Sequence, residues 1–229
     1  MNFFDDLLNE AEIYLADFKS RSYPIGRPWK DIGKNEFVLQ RDMAYELDGV
    51  GFNLVTSKPI GDDGVIVYGP DLNEITGEAK FCRISVIEID DVEDEQTAYN
   101  LIRKIEYAKY HYFPEGFMIR TASASHKEIA RVSKSALGRG LSFAGIGNIL
   151  INKYKENSAV KAVKVIYITD KSVDYDKLTK LAKRNYDITE ALNHIMNNIT
   201  FDCKSCNLKP ICDEVEGMKE LHFKNAGMK

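Results

Sequence analysis

The sequence has no apolar run long enough to span a bilayer. Its longest, such as GVIVY and VIYI, fall far short of the roughly 20 residues a membrane helix needs. It lacks a basic excess: 31 Lys and Arg stand against 35 Asp and Glu, a net charge of −4, which gives no support to a general nucleic-acid binder. The first residues, MNFFDDLLNE, carry Asp5 and Asp6 where an export signal carries Lys or Arg. A cytoplasmic location is therefore expected, with no membrane and no nucleic acid among the partners. There are only four cysteines, and in a reducing compartment disulfides are the weaker reading of them. No GxGxxG follows a strand, no GK[ST] phosphate loop occurs, and no serine sits in a GxSxG elbow. Four scattered histidines, His111, His126, His194 and His222, form no catalytic spacing, so no catalytic residue is assigned. Internal repeats and low-complexity tracts are absent too.

What remains is the composition of a folded protein. Of 229 residues, 44% are hydrophobic and 10% aromatic, enough for a sizeable core despite a single tryptophan, Trp29. Residues 2–19 read as an amphipathic helix, with Phe4, Leu7, Leu8, Ala11, Tyr14, Leu15 and Phe18 at three- and four-residue steps. Residues 22–33, with Pro24, Gly26, Pro28 and Gly33, read as loop. Strands are expected at 51–55, 64–68, 81–89, 117–121, 128–133 and 162–169, the last being the clearest. In 81–89 both faces carry apolar residues, with Arg83 and Ser85 on one of them, so partial burial on each side is expected. Helices are expected at 95–110, from Ser142 through about 155, at 173–187 and at 188–199. The acidic run from Asp90 to Glu95 reads better as the negative lead of the 95–110 helix than as a metal site. The order of elements predicts an α+β fold, a mixed β-sheet packed with helices.

The segment FDCKSCNLKPICDEVEGMKELHF (201–223) stands apart. It reads Cys-x2-Cys-x5-Cys through Cys203, Cys206 and Cys212, a cluster suited to a soft metal or an iron–sulfur centre. Asn207 and Pro210 favour an irregular loop, and Lys204 and Lys209 would offset thiolate charge. Buried free cysteines are the bland alternative, against which the clustering counts. His222 is the only Cys or His downstream. In one continuous helix it would lie about 15 Å from Cys212 along the axis; Gly217 is where such a helix can break.

From about Trp29 to His222 the chain resembles the middle domain of acetyl-CoA synthase, the partner of carbon monoxide dehydrogenase, running into the start of its metal-cluster domain. The resemblance rests on GVIVYGPDLNEI (64–75), EGFMIRT (115–121), IARVSKSALGRGLSFAGIGNILINKYKE (129–156) and VKVIYITD (163–170), in the family's order, and on the helix before Cys203. It implies an N-terminal helix and loop at 1–28, a middle domain at 29–200, and a cysteine-rich metal loop at 201–229. By position, Cys203, Cys206 and Cys212 are similar to the first three cysteines of the family's cubane, with Cys206 as the bridging residue, and His222 stands at the x9 spacing of the fourth. The gap between Cys206 and Cys212 is shorter than the family's. The Cys-Gly-Cys that holds the distal nickel has no counterpart, so nickel is not expected.

The implied cofactor is an iron–sulfur cluster, with zinc as the alternative. CoA is a candidate ligand, met by Arg120, Arg131, Lys134 and Arg139, although Met118 replaces an aromatic residue associated with CoA. The implied role is a truncated relative serving CO and acetyl-CoA one-carbon metabolism as a metal-binding accessory or paralogous subunit. Its partners would be CO dehydrogenase/acetyl-CoA synthase or corrinoid protein subunits. A zinc-stabilised non-catalytic binding module, or one part of a split synthase acting as an acyltransferase only with partner subunits, are the alternatives.

Overall fold

A computed structural model describes residues 3–26, 28–30, 43–92, 94–122, 126–197, 205–215 and 217–225. In chain order these form α1 (Asp5–Leu15), β1 (Ser20–Pro24), β2 (Ala44–Thr56), β3 (Gly64–Tyr68), β4 (Ala79–Ile89) and α2 (Glu95–Ala108). Then follow β5 (Phe117–Ala122), β6 (Lys127–Ser133), α3 (Lys134–Gly138), α4 (Phe143–Lys155), β7 (Val160–Ile168), α5 (Tyr175–Met196), α6 (Lys209–Glu214) and α7 (Met218–Asn225). The strands make one mixed sheet in the order β1-β3-β7-β4-β2-β6-β5. The β3–β7 and β4–β2 pairs are parallel and the rest antiparallel, which bears out the expected mixed sheet packed with helices.

Alternation along β7 explains how the layers form. Tyr167 turns to α4, where its ring stacks on Phe143 at 4.4 Å between centroids. Lys164 and Ile166 turn to the opposite face, which Leu8, Ala11 and Leu15 of α1 approach. The α4 positions singled out by spacing, Phe143, Ile146, Leu150 and Tyr154, are all buried, and Ser142 caps the helix by accepting from the Gly145 N–H at 3.2 Å. Asp94 does the same for α2, accepting from Thr97 N–H at 2.7 Å, so the acidic run leads into a helix as expected. Among the described residues no helix is long and apolar enough to cross a membrane.

Three local expectations change. Part of the expected loop at 22–33 is strand: β1 pairs with β3 from Ser20↔Tyr68 to Pro24↔Gly64. Pro24 is tolerated because it ends an edge strand, where no further ladder bond is needed. The 51–55 strand is the inner part of the longer β2, which is sandwiched between β4 and β6 and gains its length from pairing on both sides. The two helices expected at 173–187 and 188–199 are one 22-residue helix, α5. No Gly or Pro interrupts it, and Leu178, Leu181, Ala182, Asn185, Ile188, Ala191, Leu192 and Ile195 keep one buried stripe across the supposed boundary.

In β4, residues Phe81–Ile87 are all buried, and this includes Arg83. Its guanidinium forks onto Glu128 of β6, with Nε and Nη2 donating at 2.7 and 2.8 Å, while Nη1 donates to Asn53 Oδ1 and Ser85 Oγ. Burial opposes the charge, but the Glu128 carboxylate more than offsets it and holds Arg83 protonated. Gly51 makes room for the pair: a Cβ there would come within 1.8 Å of Glu128 Oε2.

Candidate functional site

A loop and a helix start build one cleft. The Gly-Pro-Asp turn after β3 ends in Asp71, whose buried carboxylate accepts from the N–H groups of Leu72 and Phe143, both at 2.6 Å. Burial raises the Asp71 pKa, against the two backbone donors that lower it. This bond ties the turn to the start of α4. Trp29 then docks beside that start, its backbone N–H donating to Gly145 O at 3.3 Å. Arg139, just past α3, lies 6.0 Å from the Trp29 ring and donates to Glu115 at 2.5 Å and to Ser135 Oγ at 2.8 Å. Together with Tyr23, Lys30, Gly145 and Asn148 they line an open cleft of about 580 Å³. Two buried polar atoms in its lining, Trp29 Nε1 and Asn148 Oδ1, have no hydrogen-bond partner among the described residues. A flat ring, two cations and unspent polar atoms suit a ligand that is planar at one end and anionic at the other.

The four predicted cations do not all line this cleft. Register puts Arg131 opposite Met118 and Arg120 opposite Ile129, so Arg120 and Arg131 share one face of the β5–β6 pair with Met118. Arg131 is engaged there by Glu46 at 3.1 Å. Lys134 lies over the Tyr45 ring at 5.0 Å. Of the four, Arg139 alone lines the Trp29 cleft. Sequence reading passed over Trp29 and Asn148. The signal available was a lone tryptophan inside a Gly/Pro-rich segment, beside a helix that begins with small residues.

The C-terminal segment is short-helical. Cys203 and Lys204 lie outside the described residues. Cys206 is half-buried just ahead of α6, and Cys212 is half-buried within it. The α6 turn is closed by Cys212 N–H donating to Leu208 O at 3.2 Å. Among the described residues no group of three metal-ligating side chains occurs. Lys209, expected to offset thiolate charge, is ion-paired with Asp213, whose pKa it lowers. Gly217, at φ +78, does separate α6 from α7. Val215, Met218 and Leu221 are buried and anchor the hairpin, and His222 is buried beside them. Cys82 is another matter: burial pushes its thiol well up, so it stays a thiol in the core.

Cys206 and Cys212 are both half-buried free thiols, and thiolate sulfur is the donor that iron–sulfur and zinc centres take.

No curated protein matches the chain. A family model, described as CO dehydrogenase/acetyl-CoA synthase complex beta subunit, matches residues 32–173. The match takes in β2 through β7, Asp71 and Arg139, and stops before α5 and the cysteines at 203, 206 and 212. The chain belongs to the family of the CO dehydrogenase/acetyl-CoA synthase complex beta subunit.

Proposed function

We propose that the chain is an accessory or paralogous subunit in CO and acetyl-CoA one-carbon metabolism, whose body takes CoA and whose C-terminal loop holds a metal centre. The observation that carries the CoA reading is the Trp29 cleft. It brings together a flat ring, Arg139, Lys30 and two buried polar atoms with no partner among the described residues, and the family's chemistry supplies a ligand with a planar base and phosphates. Trp29 takes over the flat platform that Met118 does not provide. The protein has one tryptophan, so its fluorescence reports this cleft alone. Titration with CoA should quench it saturably, and added salt should weaken the effect by screening. Arg139→Ala should weaken it further, with Arg120→Ala as an unaffected control. Unchanged fluorescence and no heat at millimolar CoA would remove CoA from the assignment.

Cys203, Cys206 and Cys212 are the proposed ligands of the metal centre, with His222 as a fourth. An iron–sulfur cluster would supply one-electron chemistry, whereas zinc would supply only a cross-link. Anaerobically purified protein should be brown and carry iron, with zinc replacing it after aerobic expression. Metal retained in full by the Cys203→Ser, Cys206→Ser double variant would refute these ligands. The isolated chain is expected not to make acetyl-CoA from a methyl donor, CO and CoA, a prediction that an acetyl-CoA assay on metal-loaded protein checks. CO dehydrogenase/acetyl-CoA synthase or corrinoid subunits are the proposed partners.

A further inference from the structure

A second cleft, of about 290 Å³, opens between the C-terminal end of α2, the middle of α5 and the strands β2 and β6. Neither the Trp29 cleft nor the cysteine loop shares a residue with it. His126 lines it and carries two anomalies. Its φ is +48, the only positive value of a non-glycine residue among the described ones. Its Nδ1 is buried with no hydrogen-bond partner among the described residues. A left-handed histidine and an unspent buried nitrogen each cost stability, and costs of this kind collect where a ligand is bound. The backbone is held in place by Gly51, whose N–H donates to His126 O at 3.4 Å.

The walls define what fits. The His126 ring packs at 4.8 Å from Tyr186, tilted by 51°, making one aromatic wall, and Tyr107 and Tyr110, with centroids 5.9 Å apart, form an exposed rim. Exposed hydrophobic rings of this kind mark contact surfaces. Three cations line the cleft: Arg103, Lys109 and Lys127. Lys109 is mostly buried and pairs with Glu106 at 2.9 Å, whereas Arg103 and Lys127 are exposed and have no ion-pair partner among the described residues. Glu106 and Glu190 are the carboxylates of the lining, so the cleft carries one net positive charge. A phosphate dianion would be opposed by both carboxylates. A single carboxylate on a flat ring meets the charge, the size and the walls at once.

We propose that this cleft binds a small planar monoanion, an aromatic or heteroaromatic carboxylate. Lys127 and Arg103 hold the carboxylate, the ligand ring rests against the one wall where the His126 and Tyr186 rings meet, and His126 Nδ1 gains a partner that no described residue supplies. The ring of His126 is neutral, because burial pushes its pKa down, so it offers one donor and one acceptor nitrogen.

The test uses the full chain with nicotinate as probe and inorganic phosphate as competitor, read by the imidazole signals of His126 where that residue is present and by calorimetry in the parent and every variant. Those signals are identified by their loss in His126→Asn. Nicotinate should shift them saturably in the millimolar range or below, and Lys127→Ala should weaken binding about tenfold. His126→Asn, which tolerates a left-handed backbone, should abolish nicotinate binding while leaving the thermal midpoint unchanged or raised. That combination separates a ligand site from a merely structural histidine. No saturable shift at millimolar nicotinate, equal binding in both variants, or tighter binding of phosphate than of nicotinate would each overturn the proposal. None of these outcomes depends on CoA or on metal.

Discussion

Two arginine–glutamate forks in this molecule have nearly the same geometry and opposite surroundings. Arg83 reaches Glu128 at 2.7 and 2.8 Å, and both side chains are 0% exposed. Arg21 of β1 reaches Glu74 at 2.8 and 2.7 Å, and the two are 42% and 49% exposed. Distances alone would rank them as equals. What differs is the medium, and with it the cost of removing a partner. Inside the sheet a lone charge cannot be solvated, whereas at the edge water replaces the lost partner.

The largest test of that difference is Glu128→Ala. It should cost about 3–5 kcal/mol in urea unfolding, because Arg83 is left charged and buried. A loss below about 1 kcal/mol would mean that water reaches Arg83 and that the comparison fails. Replacing both partners, Arg83→Met with Glu128→Leu, sharpens it. The double variant should be far more stable than Glu128→Ala and fall near or above the parent, since a packed apolar pair removes the desolvation cost. At the edge, Arg21→Ala should cost at most about 1 kcal/mol.

The smallest effect is seen in pH. The Arg21 hydrogen bonds, with the Asp71 N–H, hold the Glu74 carboxyl down at about 2, against its ordinary 4.5. A depressed carboxylate contributes stability that is fully present above pH 4.5 and is lost as pH falls from there through about 2. The carboxyl carbon resonance of Glu74 should titrate near pH 2 in the parent and move toward the ordinary range in Arg21→Ala. Titration near 4.5 in the parent would show that the edge fork is not populated in solution.

The same division between exposed and buried chemistry governed what could be read from residues alone. The strands at 64–68 and 162–169, the N-cap at Ser142 and the buried stripe of α4 follow from periodicity and local capping, which neighbours in sequence decide. The Gly-Pro-Asp turn was visible as a motif, and its family held, but its bond to Phe143 spans 72 positions and could not be seen. Arg83 was placed on a strand face beside apolar neighbours; that it would be wholly buried depended on Glu128, 45 residues away. Of the four cations expected at CoA, Arg139 lines the Trp29 cleft, Arg120 and Arg131 share a face of the β5–β6 pair, and Lys134 lies over Tyr45, a division set by helix and strand directions. The cysteine spacing was legible because it is local. Whether Cys203 joins the other two lies outside the described residues.

Sequence by itself therefore determined the α+β class, the apolar stripes, the family and the cysteine cluster, since each is a pattern over a few turns or a few motifs. Tertiary structure decided the rest: the edge pairing that made β1 a strand, the unbroken α5, the buried fork under Gly51, and the two clefts around Trp29 and His126. The reason is physical. Periodicity reports only which side of an element avoids water, whereas a site is made by side chains that meet across the sheet, and their charge, solvation and spare hydrogen bonds are fixed only once they have met.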